Sequence, residues 1–148
     1  MGEIKDGYTA PKYGYCVITV DWRLGNSLDY WSALANVRVV GATVGFSAAN
    51  WKIGAKTLLL GFSLGGQAVG EAARFYSKKT GKKIPQCHGL DPAGPGYDGC
   101  SAAITLQAKD CGEVIIVHSN AMFARSVFAA SGFGSARQSG KSDYWISG

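Results

Sequence analysis

No apolar run in the sequence reaches the roughly 18 residues that a membrane-spanning helix needs. The opening residues, Met1-Gly2-Glu3-Ile4-Lys5-Asp6, hold no apolar stretch of the signal-peptide kind. They also lack the Ser or Thr of an N-myristoylation signal. The expectation is a protein kept inside the cell, or a chain processed from a longer one. Histidine is scarce, with 2 in 148 residues, so His88 and His118 are the whole supply of imidazole. The four cysteines form no C-x-x-C pair, and no Cys/His cluster has metal-site spacing. Neither a metal nor a cofactor is therefore expected. The lysines are not interleaved with aromatic residues as in a single-strand-binding groove, which argues against nucleic acid as a partner. There is no internal repeat and no interdomain linker, so residues 1–148 read as one domain.

What is present is an ordinary globular composition, 47% hydrophobic and 17% charged, with 21 glycines that imply many tight turns. The formal charge is +5, part of it concentrated where Lys78, Lys79, Lys82 and Lys83 flank Thr80-Gly81. Such a cluster either complements a helix C-terminus with Gly81 as the stop, or attracts an anionic surface such as phospholipid. Cys16 lies in an apolar run and reads as a buried thiol. Cys87, Cys100 and Cys111 bracket a loop that one disulfide would close, in a pairing the sequence leaves open.

Tyr15–Val20 is a continuous β-rich run of the kind buried on both faces, ending at Asp21-Trp22. Ser27 is placed to cap a helix from Leu28, with Asp29 in its first turn. Trp31, Leu34, Val37, Gly41, Val44 and Ala48 then recur at helical spacing, and Trp22 and Trp31 read as core. A strand is expected near Lys56–Leu60. A helix follows over about Leu64–Ser77, its buried stripe marked by Leu64, Ala68, Ala72 and Phe75, with Gly66 and Gly70 allowing close approach to the sheet. Further strands are expected at Ile84–Leu90 and Val114–Val117, and the tail from Ser119 to Gly148 shows no period. Alternating strands and helices predict an α/β fold, a mostly parallel sheet with helices on both faces.

The chemistry centres on Gly61-Phe62-Ser63-Leu64-Gly65-Gly66, which follows the apolar run Thr57-Leu58-Leu59-Leu60. A short strand, then G-x-S-x-G, then a helix is the pattern of a nucleophile elbow. Ser63 would sit on a sharp turn with its hydroxyl above the sheet edge. Asp21, Ser63, Asp91 and His118 all fall at expected strand C-termini, the edge where ligands bind in such sheets. Serine is a weak nucleophile and needs a base. A carboxylate must orient that base, and the developing oxyanion needs N–H donors, of which Leu64 N–H would be one.

These motifs resemble the pancreatic (neutral) lipase family, including its insect and phospholipase A1-like members. The resemblance rests on Gly61–Gly66 together with Gly89-Leu90-Asp91-Pro92-Ala93-Gly94-Pro95. It rests also on Val17–Trp22, on Val114-Ile115-Ile116-Val117-His118-Ser119-Asn120 and on Gly140-Lys141-Ser142-Asp143-Tyr144-Trp145, nearly the whole chain. It implies a partial α/β-hydrolase domain, truncated relative to the full one, with Ser63 as nucleophile, Asp91 as triad acid and Leu64 as oxyanion donor. It also implies an acyl-lipid ester substrate and an extracellular setting.

The family's catalytic histidine is expected downstream of the last motif, and its upstream H-G oxyanion loop has no counterpart before Tyr15. Phe62 and Lys141 stand where many members carry histidine. His88 lies an odd number of positions before Asp91 and on the opposite strand face, a poor geometry for a triad. His118 reads as a structural histidine, with a substitute base as the alternative. Asp21 reads as bonding loop N–H groups, the alternative being to shape the site edge. Tyr144 and Trp145 read as a packed tail rather than a lipid contact.

The function expected is a serine carboxylic-ester hydrolase domain, incomplete as this chain alone. Another polypeptide could complete it, and it could touch a lipid surface. The alternative is a lipase-derived structural, interaction or lipid-binding protein without turnover.

Overall fold

The structure is a computed structural model that describes residues 14–25, 29–94, 96–97, 104–118 and 144–147. Its first helix, α1, runs over Tyr30–Asn50. Asp29 caps it: the carboxylate accepts from Ser32 N at 3.0 Å, Trp31 N at 3.4 Å and Ser32 Oγ at 2.6 Å. The helix thus begins two residues later than the spacing suggested, because Asp29 takes the capping role expected of Ser27. A carboxylate there satisfies orphan N–H groups and faces the positive end of the dipole; Ser27 itself lies outside the described residues.

The buried face of α1 is Ala33, Val37, Gly41, Gly45 and Ala48. Val37, Gly41 and Ala48 were expected there, but Trp31 was not expected to be 62% exposed. The small residues decide the orientation. A Cβ on Gly41 would lie 2.7 Å from the Ala68 carbonyl oxygen, and one on Gly45 would lie 2.3 Å from that of Ala72. Glycine at both positions lets two backbones come into contact, so the small side faces the second helix and the indole is left outside.

After a 3-10 turn at Gly54–Lys56, strand β1 spans Leu58–Phe62 and helix α2 spans Leu64–Thr80. Gly81 ends α2 in the left-handed region at φ 71°, its N–H donating to Ser77 O. Lys78 and Lys79 occupy the last turn, the charge placement a helix C-terminus favours. Strand β2 is Ile84–Leu90, β3 is Cys111–His118 and β4 is Tyr144–Ser147. The order is β1-β2-β3-β4 and every pair is parallel. The aperiodic tail therefore contains a strand: Tyr144 and Trp145 pair with Ile115 and Ile116.

Helix α2 lies on the sheet, and α1 lies on α2. One core cluster joins Val69, Ala73 and Tyr76 to Ile84, Cys87, Leu106, Val114 and Ile116. A second joins Ala33 and Val37 to Leu64, Ala68, Ala93 and Tyr97, with Trp22 and Leu34 against it. Both described helices lie on the same side of the sheet. On the other side Leu60, His88 and Ile115 share one row of the ladder and remain half-buried.

Two expectations from the chain's beginning are corrected. Tyr15–Val20 is not a strand; it has no ladder partner among the described residues, and Ile18 is 57% exposed. Cys16 is correspondingly an exposed free thiol, not a buried one. A β-rich run is buried only when a neighbour pairs with it and helices cover it, and the four-stranded ladder forms without this segment. Cys87 and Cys111, both fully buried, form a disulfide between β2 and β3. Cys100 lies outside the described residues.

Candidate functional site

Three strands of the ladder, β1, β2 and β3, each deliver one residue to the same edge. Phe62, Leu90 and Val117 are register partners across β1, β2 and β3, so Ser63, Asp91 and His118 occupy the next row. Adjacent strands are about 4.8 Å apart, which sets Ser63 beside Asp91 and Asp91 beside His118. The row is held by backbone bonds: Ser63 N–H donates to Leu90 O at 3.0 Å, and Asp91 N–H to Val117 O at 2.7 Å. Ala93 N–H returns to Ser63 O at 3.0 Å, tying the turn after β2 to the turn after β1.

Ser63 has φ 54° and ψ −121°, a region that non-glycine residues rarely occupy. Its side chain makes no capping bond to α2. Gly61 makes the turn possible, since a Cβ there would lie 2.1 Å from Gly65 O. Asp91 also has positive φ, at 40°. Two strained non-glycine residues on one row are the geometry that clusters at functional sites. Leu64 opens α2, so its N–H has no carbonyl of its own helix to meet and sits at the positive end of the dipole.

The other sequence candidates are not brought to this row. His88 lies inside β2, paired with Leu60 and Ile115, roughly 10 Å up the strand from Asp91. Its Nε2 is buried without a hydrogen-bond partner. Burial lowers its pKa, and the nearby Glu113 carboxylate works against that fall. Asp21 accepts from Arg23 N at 3.1 Å and pairs with the Arg23 guanidinium at 2.6 Å. That guanidinium holds the exposed carboxyl below its usual range. Asp21 is engaged in its own turn, in keeping with the loop-bonding reading.

Two groups escaped the sequence reading. Gln67 is fully buried; its Nε2 donates to Ala93 O at 2.8 Å and its Oε1 accepts from Leu106 N at 3.0 Å. One amide thus fastens α2 to the loop after Asp91. Its signal was a polar residue one helical turn after Ser63, on the buried stripe. The second group is Arg74, whose Nη1 meets Asp110 Oδ2 at 2.6 Å and whose Nη2 lies 3.3 Å from Glu71 Oε1. Burial raises the Asp110 pKa, and the Arg74 charge works against that rise. Gly66 and Gly70, expected to face the sheet, instead approach Pro92 and Leu106 in the loops.

With this geometry, a family model described as Lipase matches residues 6–148. The chain is 32% identical over 142 residues to pancreatic triacylglycerol lipase of Sus scrofa, covering 88% of this chain and 29% of that protein. It is 32% identical over 136 residues to pancreatic lipase-related protein 2 of Rattus norvegicus, covering 88% and 28%. It is 31% identical over 142 residues to pancreatic triacylglycerol lipase of Homo sapiens, again covering 88% and 28%. The chain therefore spans less than a third of the length of these relatives.

Proposed function

The chain belongs to the Lipase family, and from that premise we propose that it carries the nucleophile half of a carboxylic-ester hydrolase site acting on acyl-lipid esters. Ser63 Oγ attacks the ester carbonyl, Leu64 N–H receives the developing oxyanion, and Asp91 orients the base. The observation that carries this reading is the strained Ser63 turn between β1 and α2, in the same row as Asp91. Such a turn costs about 1–3 kcal/mol.

A base is required for turnover. His88 is held neutral but lies too far up β2. His118 ends β3 in the correct row and is the one candidate this chain offers; another polypeptide could supply the imidazole instead. We place the substrate among triacylglycerols or phospholipids, the latter if the chain is an insect-type or phospholipase A1-like member. Release of fatty acid from each lipid class separates the two. The Cys87–Cys111 disulfide supports an extracellular setting.

A second reading, a lipase-derived scaffold without turnover, is favoured by the position of His88. Intact-mass detection of a fluorophosphonate adduct decides between them. We expect one adduct on the wild-type chain and none on Ser63→Ala. A folded wild-type sample that takes up no label refutes an activated Ser63 in this chain alone and favours a lipase fold retained as a scaffold or as an inactive fragment.

A further inference from the structure

We propose that Gln67 is a positioning residue for the hydrolase site. Acting through the backbone of Ala93, its amide holds the Asp91 turn against the Ser63 elbow. The proposal rests on the hydrolase reading and adds to it a group that touches neither the ester nor the reacting atoms. Gln67 stands on α2, one helical turn after Ser63.

A buried amide needs partners, because desolvating it unpaired is costly. Gln67 is 0% exposed, and both ends of its amide are bonded. Nε2 donates to Ala93 O at 2.8 Å, and Oε1 accepts from Leu106 N at 3.0 Å. These partners allow the amide a single orientation, since a carbonyl only accepts and a backbone N–H only donates. They lie 26 and 39 positions away in sequence. An apolar side chain of similar volume would fill the space equally well. What the amide adds is direction: it fixes Ala93 O and Leu106 N relative to α2.

The tie falls where the acid turn needs it. Asp91 has φ 40°, a conformation that persists in a non-glycine residue only where the surroundings over-determine it. Before the turn, Asp91 N–H donates to Val117 O at 2.7 Å. After it, Ala93 N–H donates to Ser63 O at 3.0 Å, and Ala93 O receives the Gln67 amide. Both polar groups of Ala93 are therefore bonded to the elbow, one to Ser63 itself and one to the helix that follows. Pro92 is enclosed between them. A Cβ on Gly66 would lie 3.2 Å from Pro92 Cα, and one on Gly89 would lie 2.9 Å from Pro92 Cγ. The Gln67 bond is made by a side chain, so a substitution removes it and leaves the backbone bonds in place. The acid turn then loses its hold on α2, and the carboxylate that orients the base moves out of line with Ser63. A misplacement of about 1 Å is enough to cost on the order of 100-fold in rate.

The test compares fluorophosphonate labelling of the 148-residue chain with that of Gln67→Met and Gln67→Glu. Each rate is divided by the folded fraction measured by circular dichroism. Gln67→Met keeps the volume and removes both hydrogen bonds, and its labelling per folded molecule should fall at least about tenfold. Gln67→Glu restores both bonds only while its carboxyl is neutral, when the O–H donates to Ala93 O and the C=O accepts from Leu106 N. Burial favours that neutral form. Its rate relative to the wild type should stay level at low pH and fall as the carboxyl ionises, because the ionised form has no proton to donate. Carbon-13 NMR of the introduced carboxyl follows that ionisation. A side chain that merely fills space would give no such profile. Should Gln67→Met fail to fold, the Gln67→Glu profile decides. Equal labelling of wild type and Gln67→Met, or a Gln67→Glu ratio that does not fall once the carboxyl is ionised, overturns the proposal and leaves the hydrolase reading standing. No label on the folded wild type refutes an activated Ser63 in this chain alone, and the proposal falls with it.

Discussion

At the scale of single residues, the site is marked by backbone conformation before any side chain is considered. Ser63 at φ 54° carries strain because its Cβ crowds the backbone, a strain glycine escapes. Ser63→Gly and Ser63→Ala both remove the hydroxyl, but only glycine relaxes the turn. Ser63→Gly should be more stable than Ser63→Ala by about 1 kcal/mol, toward the low end of such strain energies because glycine loses more entropy on folding. Urea midpoints of the two variants check this, and equal midpoints would mean that the turn is unstrained. His88 makes a different prediction. Burial lowers its folded pKa below the unfolded value of about 6.5. The unfolded chain then binds the proton first as pH falls. The stability that His88 contributes as a neutral ring is complete above about pH 6.5 and is lost as pH falls through the lowered folded value. Unfolding free energy should therefore fall between pH 7.5 and 5 in the wild type, and His88→Gln should flatten that slope.

At the scale of elements, the packing of α1 on α2 depends on two small residues. A Cβ on Gly45 would sit 2.3 Å from the Ala72 carbonyl oxygen, a contact with backbone that no side-chain rotation relieves. Gly45→Ala should destabilise the chain by about 1–3 kcal/mol, the usual cost of overpacking. Gly65→Ala makes the contrast: nothing lies within 4 Å of its Cβ, and alanine favours the helix. A urea series should show the first variant shifted down and the second level or up. These two helices also show what the sequence made legible. The elbow was readable because β1, the turn and α2 are contiguous, and local rules decide all three. β2 and its terminal Asp91 were readable for the same reason. The outward turn of Trp31 was not, because indole and glycine both satisfied the helical period, and only the backbone of α2 chooses between them. Tyr15–Val20 misled in the other direction: its β propensity is real, but a strand is a relation between two segments, and its neighbour is not written in its own residues. Gln67 was hidden because a buried amide is acceptable only where two loops, distant in sequence, present one acceptor and one donor.

At the scale of the whole molecule, the helices among the described residues lie on one side of a parallel sheet, and the chain is fastened where β2 and β3 meet. Buried alternation changes phase along both strands there: Ile84 and Cys87 are both buried, as are Cys111 and Val114. Cys87 and Cys111 lie 6.0 Å apart between Cα atoms. The bridge closes a loop of 24 residues in sequence separation, including the Asp91 turn and the segment that Gln67 holds. Loop-closure entropy for a ring of that size is worth about 3 kcal/mol. Domains of this size are stable by only about 5–15 kcal/mol, so the bridge is a large share of the total. Replacing both cysteines by alanine avoids exchange with the exposed Cys16 thiol and should lower the unfolding free energy by about 3 kcal/mol. Because the bridge acts mainly by restricting the unfolded chain, fluorophosphonate labelling of Ser63 in the folded fraction should be less affected than stability. Ser63 stands between β1 and α2, outside the closed ring. Urea unfolding of the double variant, followed beside its rate of labelling, measures both. A labelling rate that falls in proportion to the folded fraction alone supports this division, and abolished labelling in a fully folded variant would show that the ring also holds the site.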